Sequence, residues 1–307
     1  MAHHHHQPAT VGLKLKISAL ATIVFVLVEL GAGLYANALA LVGDALHNLT
    51  DSIALLLALM VVWLEQLPAS QTKTFGYQRA GILAAFVNAG LLVAFTAYLL
   101  AEAWHRFRQP EPIDSFTMIW VAALGILLNV GITVWLRKES ANDINIRAAV
   151  VHLFGDTLSS AGVIIAALLI RATGNPVFDP IVTGLIAVLI FWSAWGILKE
   201  TINLLLEGTP AGMDPDEISA RLASQPGVQG VHHLHIWAIA PTKPALSCHL
   251  MLGDVSLAST AGVLGQATAM LQNEYGITHT TIQFEHDTGC PDDDPHCISD
   301  VQAAISS

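Results

Sequence analysis

Residues Ala38–Leu67 read ALALVGDALHNLTDSIALLLALMVVWLEQL, a run long and apolar enough to cross a bilayer as one helix. Inside it lie His47 and Asp51, four residues apart and so on one helix face, a turn from each other. A second run, Ile144–Ile170, repeats the spacing with His152 and Asp156. Ionisable side chains at membrane depth are costly and mark paths for ions or substrates. Two imidazoles and two carboxylates, contributed by two helices, make a four-ligand shell for a divalent metal. One His-x-x-x-Asp alone says little, because it occurs by chance in soluble helices; two copies inside apolar spans say much more. The plainer alternative has each Asp orienting its own His, which leaves four buried ionisable groups short of compensation. Asp44, one turn before His47, is either an outer group of the same polar face or a helix-end residue.

Composition agrees with a membrane setting. The chain of 307 residues is 53% hydrophobic and 12% charged, with mean hydropathy +0.57, whereas soluble domains carry about 25% charged residues. Hydropathy and Pro punctuation give six spans: Leu15–Ala36, Ala38–Leu67, Tyr77–Phe107, Ser115–Leu136, Ile144–Ile170 and Pro180–Leu206. The first follows Lys14 and Lys16 and is expected to stay as a span rather than be removed as a signal. With six spans both ends share one side. Placing the N-terminus inside puts Lys14, Lys16, Lys73, Arg79, Arg137, Lys138, Arg147 and Lys199 inside and Arg106, Arg108 and Arg171 outside. Eight against three obeys the positive-inside rule, so both termini are expected in the cytoplasm, with short loops pointing to a bacterial inner membrane.

Most of the net charge of −11 belongs to the last third, where twelve acidic residues face Arg221 and Lys243 alone. Four segments follow from this: 1–12 with His3–His6, a membrane domain 13–208, a soluble domain 209–287 and a polar tail 288–307. An acidic soluble domain suits metal cations and excludes nucleic acid. Asp214–Ala223 reads as a capped helix, His232–Ala240 and Ala245–Leu252 as strands, Ser259–Tyr275 as a helix and Thr278–Glu285 as a third strand, an α-β-β-α-β order of the α+β class. Three cysteines, Cys248, Cys290 and Cys297, are too few for a disulfide framework. The His3–His6 run fits a native metal-capturing arm or a purification tag and is left out of the fold.

The donor set chooses the metal. Two imidazole nitrogens with two carboxylate oxygens suit tetrahedral zinc, with cadmium and cobalt as plausible companions. Magnesium and manganese favour oxygen shells, and copper(I) favours sulfur, which no span supplies as Cys. Every ligand must shed its proton to bind metal, so metal and protons compete for one site, which is the physical basis of exchange.

Gly43-Asp-Ala-Leu-His-Asn-Leu-Thr-Asp51 resembles the second-helix signature of the cation diffusion facilitator family. Thr74-Phe-Gly-Tyr-Gln-Arg79 is similar to that family's entry to the third helix, and Val231-His-His-Leu-His-Ile-Trp237 and Thr280-Thr-Ile-Gln-Phe-Glu285 to its cytoplasmic domain. The likeness runs from about residue 13 to 287 and is nearest the zinc-transporting branch. It implies six transmembrane helices followed by a small cytoplasmic ferredoxin-like domain, a homodimer, and zinc export against protons by alternating access. Carried over by position, the transport site is His47, Asp51, His152 and Asp156. A charge interlock falls on Arg79 and Glu207, for which unpaired surface residues are the alternative. Two family features are absent: a metal cluster between the second and third helices, and a His-rich loop between the fourth and fifth.

The family's cytoplasmic domain binds metal, which makes His232, His249 and Glu285 the candidates here. His235 competes with His232 for the position opposite His249. Cys290 and Cys297, with His296, offer tail ligands or are ordinary thiols, since their spacing is not that of a zinc finger. Two other function classes fit a buried metal: an intramembrane metalloenzyme and a membrane-bound metal sensor or buffer. No extra base or nucleophile accompanies the His-Asp pairs, and no nucleotide motif is present, so neither enzyme chemistry nor an organic cofactor is expected.

Overall fold

A computed structural model describes residues 9–136, 144–253 and 257–286. His3–His6, residues 137–143 and the tail with Cys290, His296 and Cys297 lie outside them. Among the described residues, eight helices and three strands follow in order: α1 (Ala9–Tyr35), α2 (Leu39–Glu65), α3 (Ala80–Arg108), α4 (Ser115–Leu136), α5 (Ile144–Thr173), α6 (Phe178–Leu205), α7 (Pro215–Ala223), β1 (Val228–Ala240), β2 (Lys243–Leu252), α8 (Leu257–Tyr275) and β3 (His279–His286). Helices α1 to α6 are each long and apolar enough to cross a membrane. The chain divides into two compact units: one from residues up to Leu57 and Val87–Gly196, the other from Ala58–Phe86 and from Ile197 onward.

In the first unit the helices are apolar outward as well as inward. Leu127, Leu189 and Trp192 are 70%, 73% and 82% exposed, a pattern that lipid tolerates and water does not. Inside, Met118 and Ala122 of α4 pack against Val163, Ala166 and Ala167 of α5, the small residues letting backbones approach closely. Gly125 of α4 is a point of such approach: a Cβ there would stand 2.9 Å from the Phe25 ring. The α1–α2 turn is fixed by polar groups. Asn37, at φ 54°, donates to Glu111 Oε2 at 2.8 Å and to the Pro112 carbonyl, while Arg106 Nη1 donates to the Asn37 carbonyl at 2.8 Å. The first amides of α2 have no helical acceptor. Asp179, from α6, supplies one, accepting from Leu39 N at 2.8 Å and Ala40 N at 3.0 Å.

Four span starts differ from the sequence reading: α1 begins at Ala9 rather than Leu15 and α2 at Leu39 rather than Ala38. Helix α3 begins at Ala80 rather than Tyr77, because 74–79 form turns and Gly76 bends left-handed at φ 67°, a conformation glycine adopts without a steric cost. Helix α6 begins at Phe178, with Pro180 inside its first turn, where no amide hydrogen is needed.

The second unit contains the expected α-β-β-α-β order. Its sheet runs β1-β2-β3, with β1 antiparallel to β2 and β3 parallel to β2. Parallel pairing needs a long crossover, and α8 provides it. Strand β1 starts at Val228, earlier than His232. Alternation along β2 sends Leu246, Cys248, Leu250 and Leu252 into the core, against Ile218 and Leu222 of α7 and Leu271 of α8. Ser247 and His249 therefore take the other face.

Candidate metal sites

Helices α2 and α5 bring the two His-Asp pairs together. Asp51 Oδ2 lies 3.6 Å from His47 Nε2 on its own helix and 3.3 Å from His152 Nε2 on α5. His152 Nε2 is also 3.7 Å from Asp156 Oδ2, and the two imidazole rings meet edge to face with centroids 6.1 Å apart. Asp51 is thus the atom bridge between the helices. Asp156 is almost wholly buried, while His152 is half exposed into a cavity of about 510 Å³ lined also by Ser159, Ser193 and Leu92. Buried Asp51 Oδ2 and His47 Nδ1 complete no hydrogen bond, a state that a bound cation relieves.

Behind these four stands a second polar layer. Asp44 accepts from Ser159 Oγ at 2.6 Å and Ser160 Oγ at 3.0 Å, which makes it an outer group rather than a helix-end residue. Glu29 of α1, which the sequence reading passed over, is fully buried beside Asp44 and Asn48. It is the one acidic residue of its helix, a signal that was available and unused. Asn129 is buried in α4, and Oδ1 of Asn88 in α3 has no hydrogen-bond partner.

The second cluster sits on the sheet face opposite the core. In the β1–β2 register His232 stands opposite His249 and His235 opposite Ser247, so of the two competitors His232 takes the place. Glu285 of β3 reaches both rings: Oε2 is 3.0 Å from His232 Nε2 and Oε1 is 2.9 Å from His249 Nδ1. His233 joins them, its ring centroid 4.8 Å from that of His249. Adjacent strand residues ordinarily face opposite ways. The register shifts between His232 and His235, and His233 sits at φ 49°, so a β-bulge turns both neighbouring rings toward His249. Ligand atoms of His232, His233 and His249 lie within 4.8 Å of one another. Desolvation above all, with His233 and His232 nearby, holds the His249 imidazole below its ordinary value, while Glu285 pulls it up. Three imidazoles and a carboxylate this close match a zinc donor set.

Arg79 and Glu207 form a pair, Nη2 to Oε1 at 3.0 Å, both substantially exposed. Glu207 is held at φ 61° just past α6, a backbone state uncommon outside glycine. His235, its ring centroid 6.4 Å from that of His233, lines with Trp237 and Lys73 an open cavity of about 1030 Å³.

Comparison with known proteins identifies the family. Residues 15–206 match the family described as the cation efflux transmembrane domain, and residues 210–287 match the cation efflux protein, cytoplasmic domain. The zinc transporter ZitB of Escherichia coli is 39% identical over 295 residues, spanning 93% of each chain. The metal cation efflux system protein CzcD of Cupriavidus metallidurans is 37% identical over 283 residues, 92% of this chain and 89% of its own. The cadmium, cobalt and zinc/H(+)-K(+) antiporter of Bacillus subtilis is 35% identical over 289 residues, 93% of this chain and 92% of its own. These relatives are transporters, not enzymes, and their likeness covers both the spans that carry the His-Asp pairs and the sheet that carries the histidine cluster. The chain belongs to the cation efflux family of zinc, cadmium and cobalt transporters.

Proposed function

We propose that this protein exports zinc from the cytoplasm in exchange for protons, with His47, Asp51, His152 and Asp156 as the carrier site. The observation that supports it most is the single carboxylate oxygen of Asp51 standing between the imidazoles of two different helices. A cation bound there holds α2 and α5 together; its departure leaves their carboxylates and imidazoles to be reconciled by protons. Cytoplasmic zinc displaces protons from the site, the helices rearrange to open outward, and the higher outside proton activity displaces zinc. Cadmium and cobalt, carried by the Bacillus relative according to its name, share enough ligand chemistry to follow zinc. The protein works as a homodimer with both termini in the cytoplasm, and zinc held by His232, His233, His249 and Glu285 steadies the C-terminal domain and biases the switch.

The test uses purified protein in liposomes enclosing a zinc-sensitive dye, with an imposed pH gradient. Flux that depends on the gradient, and that Asp51→Ala and Asp156→Ala each abolish, is the expected result. Zinc bound by the wild type but not moved under any gradient would sink the exporter reading and favour a metal sensor or buffer.

A further inference from the structure

Glu29 is 0% exposed in α1, and neither of its carboxylate oxygens completes a hydrogen bond. A lone carboxylate without donors is among the most expensive groups a protein can bury. Its polar surroundings are Asp44 and Asn48 of α2. Asp44 is 2% exposed, and each of its oxygens already takes a hydroxyl from α5, Oδ1 from Ser159 and Oδ2 from Ser160. The hydroxyls thus support charge on Asp44, whereas Glu29 has only the Asn48 amide beside it and completes no hydrogen bond at either oxygen. Other charged groups facing the pair are Asp156 from α5, acting on Glu29, and His47, acting on Asp44. Two carboxyls that face each other in such surroundings hold one proton between them, because like charges there are not tolerated together.

We propose that Glu29 and Asp44 form a proton-binding site separate from the four zinc ligands, and that zinc arriving beside His47 expels its proton. The second half of this rests on the carrier-site reading. In zinc-free protein the pair carries one proton and a net charge of −1. With zinc bound, the O–H bond breaks, the proton leaves to water, and both acids are carboxylates facing a dication whose field stabilises them. The protein then exchanges one proton more than its zinc ligands alone account for.

Infrared difference spectra of the full-length protein in detergent, in H2O and D2O near neutral pH, test the pair directly. Zinc-free wild type is expected to give the carbonyl band of a protonated carboxylic acid, shifted in D2O and absent from Glu29→Gln. Asp44→Asn, which alters the partner of that acid, shifts the band instead. Added zinc removes the band from the wild type. A band missing from zinc-free wild type, or unchanged in both variants, would overturn the proton site. Calorimetry in buffers of different ionisation enthalpy then counts protons released per zinc: Glu29→Gln should release about one fewer, and an unchanged count would overturn the coupling. Wild type that binds no zinc between α2 and α5 would sink the carrier reading while the infrared band still decides the pair.

Discussion

At the scale of single residues, the cytoplasmic cluster separates neighbours that look alike in sequence. His235→Ala should leave the zinc stoichiometry of the C-terminal site unchanged, whereas His232→Ala or His249→Ala should lower it. Equilibrium dialysis in an Asp51→Ala, Asp156→Ala background isolates that site. The neutral imidazole of His249 is the form that binds metal, and its surroundings hold it below the ordinary histidine value. Zinc affinity in the same background should therefore decline at a lower pH than that of a free imidazole, and a pH series of the dialysis checks it. Cys248 is inert for a different reason: burial pushes its thiol up to about 12. A thiol reagent at neutral pH should label it only after denaturant, because the thiolate is the reactive form. The two His-Asp pairs proposed as the carrier site were legible because cost and spacing coincide in each apolar span. Glu29 was not read, since its partners Asp44 and Asn48 come from another helix. His233 escaped because a bulge, invisible in the run His232-His233-Leu234-His235, sets its direction.

Elements show where local rules sufficed and where distant groups took over. Helix α7 was readable from Asp214 and Pro215, and Asp214 does accept from the Asp216 amide at 3.0 Å. Asp214→Ala should cost about 1 kcal/mol of stability, measured by urea unfolding of the C-terminal domain. The start of α2 obeys the same need for a cap but meets it from α6. Asp179→Ala, which strands the amides of Leu39 and Ala40, should cost more, on the order of 1–3 kcal/mol for each buried unpaired group. Thermal unfolding in detergent shows it as a lower transition temperature. Strands β1 and β2 were legible from alternation and the turn between them. The parallel placement of β3 was not, because a pattern of alternating residues carries no direction; the crossover helix α8 decides it.

For the whole molecule, the six spans were legible because a bilayer demands length and apolarity that few other environments do. The loops were not, since short polar segments take their shape from groups such as Arg106, Asn37 and Glu111 that meet only after the helices assemble. The pair of Arg79 and Glu207 belongs to this scale. Both side chains are exposed, so their contribution to stability is small, roughly 0–1 kcal/mol. Any role it has in transport is expected to come from geometry: Glu207 is held in a left-handed turn and paired with Arg79 at the start of α3. Arg79→Glu and Glu207→Arg should each reduce zinc flux in liposomes without unfolding the protein, and the doubly exchanged protein should regain part of it. A double exchange no better than the singles would remove the pair from any role in transport.

The contact of Asp179 with Leu39 and Ala40 also sets an order of events during synthesis. Its partners are 140 and 139 residues apart along the chain, and chains emerge from the ribosome N-terminus first. The beginning of α2 is thus made long before the carboxylate that completes it. Every nascent copy passes through a period in which α2 has an unfinished end. Chains cut short before α6 never leave that period, so the last span is what completes the second.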